Sequence, residues 1–329
     1  MPSAIAASRL APRRPGLPLR VGTRPSPLAL VQTRDFLARL RPLCPVLRDL
    51  DAFVEHPIRT TGDAVQDRRL AELGGKGLFA KEIHEALLDH RIDFAVHSLK
   101  DLETELPPGI HLACVLRRED PRDALILNRP VAIDPAAPFA ALPPGARVGT
   151  ASLRRQAQLL HARPDLTITM LRGNVQTRLD RIAAGAADAT LLAMAGLRRL
   201  GLASHAAAPL DPDVMVPAAG QGIVGITTRA EDTALIDLLS VIADPSAAAE
   251  AAAERALLAA LDGSCHTPIG AHAALGPGNT LILTGLLARA DGTYLNRRRI
   301  TGPAQDAKRL GTELGSALRA DAPADLRAL

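Results

Sequence analysis

Arg20-Val21-Gly22-Thr23 returns, residue for residue, at Arg147-Val148-Gly149-Thr150, and the two copies organise the chain around them. Each leads through a polar turn into a segment of helical periodicity, Leu28 to Leu40 after the first and Leu153 to His161 after the second. A second echo follows. Helical runs, Leu78 to His90 and Val175 to Ala184, lead to an aspartate and then to a short apolar strand, Phe94-Ala95-Val96 in one half and Ala189-Thr190-Leu191-Leu192 in the other. Strand and helix alternate in both halves, which predicts parallel sheets covered by helices, and two such halves side by side enclose a cleft.

After Ala243 the character of the chain changes. Asp244-Pro245 marks a boundary, followed by an Ala-rich helix (about Ala247 to Leu261) and the turn Asp262-Gly263-Ser264-Cys265. Three strand-like segments come next, near Ala271 to Leu275, Leu281 to Ala288 and Thr293 to Ile300, the last two joined across the hairpin signal Ala290-Asp291-Gly292. A helix from about Ala304 to Arg319 ends this small α+β unit. Between the halves, Gly220-Gln221-Gly222 opens an apolar strand, Ile223 to Thr227, that returns the chain to the first half. The expected division is an extension over 1–18, a first domain over 19–117 with 222–241, a second over 122–217 and a third over 245–329. The extension is rich in Arg, Ala and Pro, has no acids and lacks a clear amphipathic pattern, so it reads as disordered.

At 329 residues the chain exceeds what one core usually holds, and 47% apolar with 22% charged residues is the balance of a globular protein. No apolar run approaches the roughly 18 residues needed to span a bilayer. Three cysteines, at 44, 114 and 265, suit neither a disulfide framework nor a zinc knuckle, so no metal site is expected and a cytoplasmic setting fits. The net charge of +4 is almost wholly arginine, but with no Trp, one Tyr and five Phe there is little on which to stack exposed bases. An anionic small molecule is the partner to expect.

Thr23 and Ser26, and again Thr150 and Ser152, stand just before helices. Such hydroxyls are ordinary N-caps, and the same turns suit an anion. Arginines weight the second reading: Arg24 at the first turn, Arg154 and Arg155 at the second, then Arg172, Arg178 and Arg199. Arginine takes a carboxylate through a planar fork that lysine lacks, so this cleft wants several carboxylates. His97-Ser98-Leu99-Lys100-Asp101 follows an apolar strand and falls where ligands bind in open α/β sheets, although Asp101 beside Lys100 equally fits a surface ion pair. Gly74-Gly75-Lys76-Gly77 lacks the spacing of a phosphate-binding loop and reads as a mobile loop or helix entry near the cleft. Cys265 lies in a turn, whereas Cys44 and Cys114 have apolar neighbours and are expected to be inert packing.

Taken in order, Thr23-Arg24-Pro25-Ser26-Pro27-Leu28-Ala29-Leu30, Gly74 to Phe79, His97 to Asp101, Glu119-Asp120-Pro121-Arg122-Asp123-Ala124, Gly149 to Gln156, Leu171-Arg172-Gly173-Asn174-Val175 and Gly220-Gln221-Gly222 resemble the porphobilinogen deaminase (hydroxymethylbilane synthase) family. The resemblance runs from about Leu19 to Arg319. It implies two doubly wound α/β domains like those of periplasmic binding proteins, and a small α+β domain with a three-stranded antiparallel sheet. It also implies a dipyrromethane cofactor joined to Cys265 by a thioether, and head-to-tail condensation of four porphobilinogen molecules with loss of ammonia to give hydroxymethylbilane. A cytoplasmic monomer bound to neither membrane nor nucleic acid goes with it. Asp101 then maps to the catalytic position. Cys265, Lys100, Ser98, Thr150, Ser152, Arg154, Arg155, Arg172 and Gln221 map to cofactor binding, and Arg24, Ser26, Arg178, Arg199, Phe79 and Lys76 to substrate binding.

The chemistry explains such a set. Each porphobilinogen carries an acetate and a propionate, so a growing chain accumulates charge that arginine forks can hold in register. Loss of ammonia leaves a cationic azafulvene, which a nearby carboxylate stabilises electrostatically. Two departures stand out: Ser264 precedes Cys265 where the family usually has glycine, and Glu72 occupies a position often held by lysine. A non-catalytic two-lobed anion-binding protein is the alternative, and it would have no use for Asp101 or for a cysteine turn in a third domain.

Overall fold

The computed structural model describes residues 16–44, 47, 51–65, 77–261 and 267–327. Thirteen strands are ordered among these residues: β1 (Leu19–Thr23), β2 (Phe53–Pro57), β3 (Phe94–Ser98), β4 (Ile110–Val115), β5 (Asp123–Leu127), β6 (Arg147–Gly149), β7 (Thr167–Thr169), β8 (Ala189–Ala193), β9 (Ala208–Pro209), β10 (Val224–Arg229), β11 (Ile269–Gly276), β12 (Thr280–Ala288) and β13 (Leu295–Pro303). They make three sheets, ordered β2-β1-β3-β10-β4, β7-β6-β8-β5-β9 and β11-β12-β13.

The two five-stranded sheets are the sequence echo in space. β1 lies parallel between β2 and β3, paired Val21↔Phe94 and Gly22↔Ala95. β6 lies parallel between β7 and β8, paired Val148↔Ala189 and Gly149↔Thr190. The shared glycine has a steric cause, because a Cβ at Gly22 would come within 2.2 Å of Ile92 Cδ1 and one at Gly149 within 2.8 Å of Leu171 Cδ2.

The expectation of parallel sheets needs correction, since both sheets are mixed. β10 runs antiparallel to β3 and β4, and β5 antiparallel to β8 and β9. Each is the first strand after the chain crosses between the lobes, over 116–122 for β5 and 217–223 for β10. Entering from the crossover end, it has to run against its neighbours. Periodicity carries no strand direction, so the alternation could not reveal this.

Helices cover the sheets where their caps allow. Ser26 caps Pro27–Leu40 by accepting from Ala29 N at 3.4 Å, Ser152 caps Leu153–Ala162 by accepting from Arg155 N at 3.4 Å, and Asn174 caps Val175–Ala183 by accepting from Thr177 N at 2.9 Å. The helix expected over 78–90 is shorter, Lys81–Leu88, because Ala80 offers no capping side chain and His90 leaves helical geometry with φ 56°. Phe36 and Phe94 meet edge to face at 5.9 Å in the first core, which also buries Cys44 and Cys114. Burial raises both thiols, Cys114 to about 12, as inert packing requires. In the third unit, helices Pro245–Ala260 and Ala307–Asp321 pack together on an antiparallel sheet, and the β12–β13 turn has Gly292 at φ 76° where the hairpin signal placed it. The described residues contain no helix long and apolar enough to cross a membrane.

Candidate active site

Residues just past the carboxyl ends of β1, β2, β3, β6 and β7 line one cleft between the lobes, with a volume of about 620 Å³. Ligands are expected at this edge, because parallel strands and the helices that follow them aim free backbone N–H groups there.

The first wall is built around Asp101, at the end of the short 3-10 turn Leu99–Asp101 that follows β3. Its Oδ2 accepts from Arg24 Nη1 at 3.2 Å, so Asp101 pairs with Arg24 and not with the adjacent Lys100. Arg24 is held on three sides. Its Nη2 donates to Asp63 at 2.5 Å, and the guanidinium lies 4.1 Å above the Phe79 ring. Burial alone would lower the Arg24 pKa, but the Asp63 and Asp101 carboxylates outweigh it and raise it. Asp63 in turn accepts from Thr60 N and Thr60 Oγ1, a capping box that fixes the turn. Ser98 Oγ donates to Gln32 Oε1 at 3.1 Å, and Lys100 Nζ donates to Gln221 Oε1 at 3.4 Å. The Lys100 side chain reaches cleft water, yet enclosure by the walls lowers its pKa to about 8; Asp101 opposes the shift and Arg155 adds to it. Below it, His97 donates to or accepts from Thr227 Oγ1 at 2.9 Å, and burial drops its pKa to about 3.

The second wall turns on a residue that the sequence reading quoted without assigning it a role. Asp123, fully buried at the start of β5, accepts from Arg154 Nη1 at 2.8 Å, Arg155 Nη2 at 2.7 Å and Gln221 Nε2 at 3.0 Å. Burial works to raise the Asp123 carboxyl, but the two guanidinium groups win and hold it far below the usual carboxylate range. The expected pair of forks therefore lines the cleft already sharing an internal counter-ion, with Arg154 also bound to Val216 O at 2.6 Å and Arg155 to Leu191 O at 2.6 Å. Arg155 Nε is buried with no hydrogen-bond partner among the described residues. Arg172 reaches across the cleft to Gly62 O at 3.4 Å, and Arg178 donates to Gly173 O at 2.8 Å. Enclosure and the neighbouring Arg155 and Arg172 lower the Arg178 pKa to about 10.

Asp101, Lys100, Ser98, Ser152, Arg154, Arg155, Arg172, Gln221, Arg24, Ser26, Arg178 and Phe79 all line this one cleft. Two others stand outside the lining. Thr150 is buried behind it, its Oγ1 accepting from Ser152 N at 3.1 Å, and Arg199 donates to Gly222 O at 2.7 Å in the second crossover. Cys265 and Lys76 lie outside the described residues. Asp63, Arg59 and Asp123 were missed as site residues. The Thr60-Thr61-Gly62-Asp63 capping pattern was the available signal for the first; nothing local marks the other two.

Among the described residues, seven cationic side chains (Arg24, Arg59, Lys100, Arg154, Arg155, Arg172 and Arg178) line the cleft against two carboxylates, Asp63 and Asp101. That excess, and the orphaned Arg155 Nε, suit a ligand carrying several carboxylates. A two-lobed α/β protein with such a cationic cleft and an appended α+β unit belongs to a class built to hold small polyanions. Comparison with known proteins makes the class particular. Residues 19–237 match the family model described as porphobilinogen deaminase, dipyromethane cofactor binding domain, and residues 248–320 match the porphobilinogen deaminase C-terminal domain. The chain is 48% identical over 307 residues to the porphobilinogen deaminase of Sorangium cellulosum (92% of this chain, 98% of that one). It is 49% identical over 314 residues to that of Paracoccus denitrificans (94% and 96%). Among solved structures it is similar to the probable amino-acid ABC transporter extracellular-binding protein ytmK from Bacillus subtilis, with a TM-score of 0.40 and 11% identity over 68% of this chain and 89% of that one. The chain belongs to the porphobilinogen deaminase family.

Proposed function

We propose that this chain condenses four porphobilinogen molecules head to tail, releasing ammonia at each addition and finally the linear tetrapyrrole hydroxymethylbilane, as a cytoplasmic monomer that binds neither nucleic acid nor membrane. The observation that carries the reading is the cleft in which cations outnumber carboxylates around Asp101. The proposed division is a first domain over 19–117 with 222–241, a second over 122–217 and a third over 245–329. Cys265, in the third, holds the dipyrromethane cofactor through a thioether.

When bound, the cofactor supplies a permanent pyrrole primer for the chain. The protein's own part is binding and charge. Arg155, Arg172 and Arg178 hold acetate and propionate groups, with Lys100 adding a point charge from the opposite wall. Asp101 keeps one oxygen on Arg24 while its other oxygen has no hydrogen bond among the described residues, so it can accept a pyrrole N–H and face the positive charge left on the substrate when ammonia departs. Asp63 and Phe79 fix Arg24 and thereby aim Asp101.

Intact-mass measurement tests the reading. Wild-type protein should carry the extra mass of a dipyrromethane, located on the peptide containing Cys265, and Cys265→Ala should fold, lack that mass and make no product. Wild-type protein that has no added mass and binds porphobilinogen without changing it would point instead to a non-catalytic anion-binding protein.

A further inference from the structure

Arg59 has no counterpart in the residues that the family resemblance supplies. It is exposed, follows β2 and lines the cleft. The sheet order β2-β1-β3-β10 sets the strand ends in a row, with Asp101 after β3, Arg24 after β1 and Arg59 after β2. The backbone keeps the row tight, because Ile58 N donates to Thr23 O at 2.7 Å and so places Arg59 one strand outward from Arg24. Neighbouring strands lie about 4.8 Å apart, so the row from Asp101 to Arg59 spans about 10 Å, the scale of a few pyrrole units. On the other side of β3 the row is closed by the crossover: Gln221 sits beside β10, bonded to Lys100 at 3.4 Å and to Pro121 O at 2.7 Å. A pyrrole chain growing at Asp101 has its room along the Arg24 side of this wall.

Charge separates Arg59 from its neighbours. Arg24 is committed to Asp63 and Asp101, and Arg154 and Arg155 share Asp123. Arg59 makes no hydrogen bond and no ion pair among the described residues. Each pyrrole added to a chain brings two more carboxylates into the cleft, and of the two arginines in this row Arg24 is already engaged by Asp63 and Asp101. On the deaminase reading given above, we propose that Arg59 holds the carboxylates of pyrrole units that have moved past Asp101 and Arg24, and that it acts late in elongation rather than at cofactor loading or the first addition.

The test uses cofactor-loaded wild type, Arg59→Gln and Arg59→Lys, each given a limiting pulse of porphobilinogen, quenched and weighed intact, so that every added pyrrole appears as one mass step. In Arg59→Gln the species with three and four added units should be depleted about fivefold relative to wild type, with the lower steps accumulating, and Arg59→Lys should restore most of them because a point charge remains. Thermal unfolding of isolated species gives a readout independent of turnover: at three added units Arg59→Gln should melt below wild type, while the two resting enzymes melt together. A mass ladder for Arg59→Gln that matches wild type overturns the proposal. So does equal slowing of every step, which would place Arg59 in capture of free substrate. A wild type that shows no ladder at all overturns the deaminase reading, and the proposal with it.

Discussion

Asp101 and Lys100 are adjacent in sequence but take different partners, and their chemistry follows from that. Asp101 is tied to Arg24, while Lys100, bonded to Gln221, keeps a pKa near 8 through enclosure opposed by the Asp101 charge. Lys100 is therefore charged below about pH 8 and loses its grip on carboxylates as the pH rises through that value, so kcat/KM should fall on the alkaline side. Asp101→Asn should act in two ways at once. It should cut turnover about a hundred- to a thousandfold, because the carboxylate facing the developing cation is gone. It should also move the alkaline limb to lower pH, because the charge that raises the Lys100 pKa is gone. A variant with the wild-type rate removes Asp101 from the chemistry, and an unmoved limb removes Lys100 from substrate binding. At this scale the sequence marked most of the cleft, since Asp101 and the arginines fall in motifs. It could not mark Asp123, whose role comes from Arg154 and Arg155, 31 and 32 positions away, and at Asp63 it offered a capping pattern but not the pairing with Arg24, 39 positions away.

Among the elements, periodicity and caps located helices and strands to within a few residues, as at Ser26 and Ser152. The directions of β5 and β10 were hidden, because they depend on where the chain crosses between lobes. Close packing was hidden as well. Gly311 lies inside helix Ala307–Asp321, where propensity alone says that alanine should stabilise by about 1 kcal/mol. A Cβ there would stand 2.1 Å from Ala253 O and 2.8 Å from Ala256 Cβ on helix Pro245–Ala260. A backbone carbonyl inside a helix cannot step aside, so the helices must part, and overpacking of this kind costs about 1 to 3 kcal/mol. Gly311→Ala should therefore lower stability in denaturant titration; a stabilised variant would mean that the two helices are not packed this closely.

At the scale of the whole molecule, one buried ion pair links both crossovers to the third unit. Arg118 lies in the first crossover; its Nε donates to Gln221 O of the second crossover at 2.9 Å, and its Nη1 donates to Glu254 Oε1 at 2.6 Å and to Ala273 O at 3.2 Å in the third unit. Glu254, fully buried on helix Pro245–Ala260, also accepts from Gly220 N at 2.6 Å and Ala273 N at 2.7 Å. Both crossovers and the third unit thus meet on two side chains, and the relative placement of the cleft walls depends on them. Glu254→Gln keeps the shape but leaves the Arg118 guanidinium without its closest counter-charge in a buried site. Removing one partner of such a pair costs about 3 to 5 kcal/mol, whereas replacing both by apolar residues is often nearly neutral. Arg118→Met with Glu254→Leu should recover only part of the loss here, because the Gly220 and Ala273 N–H groups would still lack their acceptor. A double-mutant cycle in denaturant measures the coupling directly. If Glu254→Gln alone stays within about 0.5 kcal/mol of wild type, the value usual for surface changes, this pair does not hold the three units together.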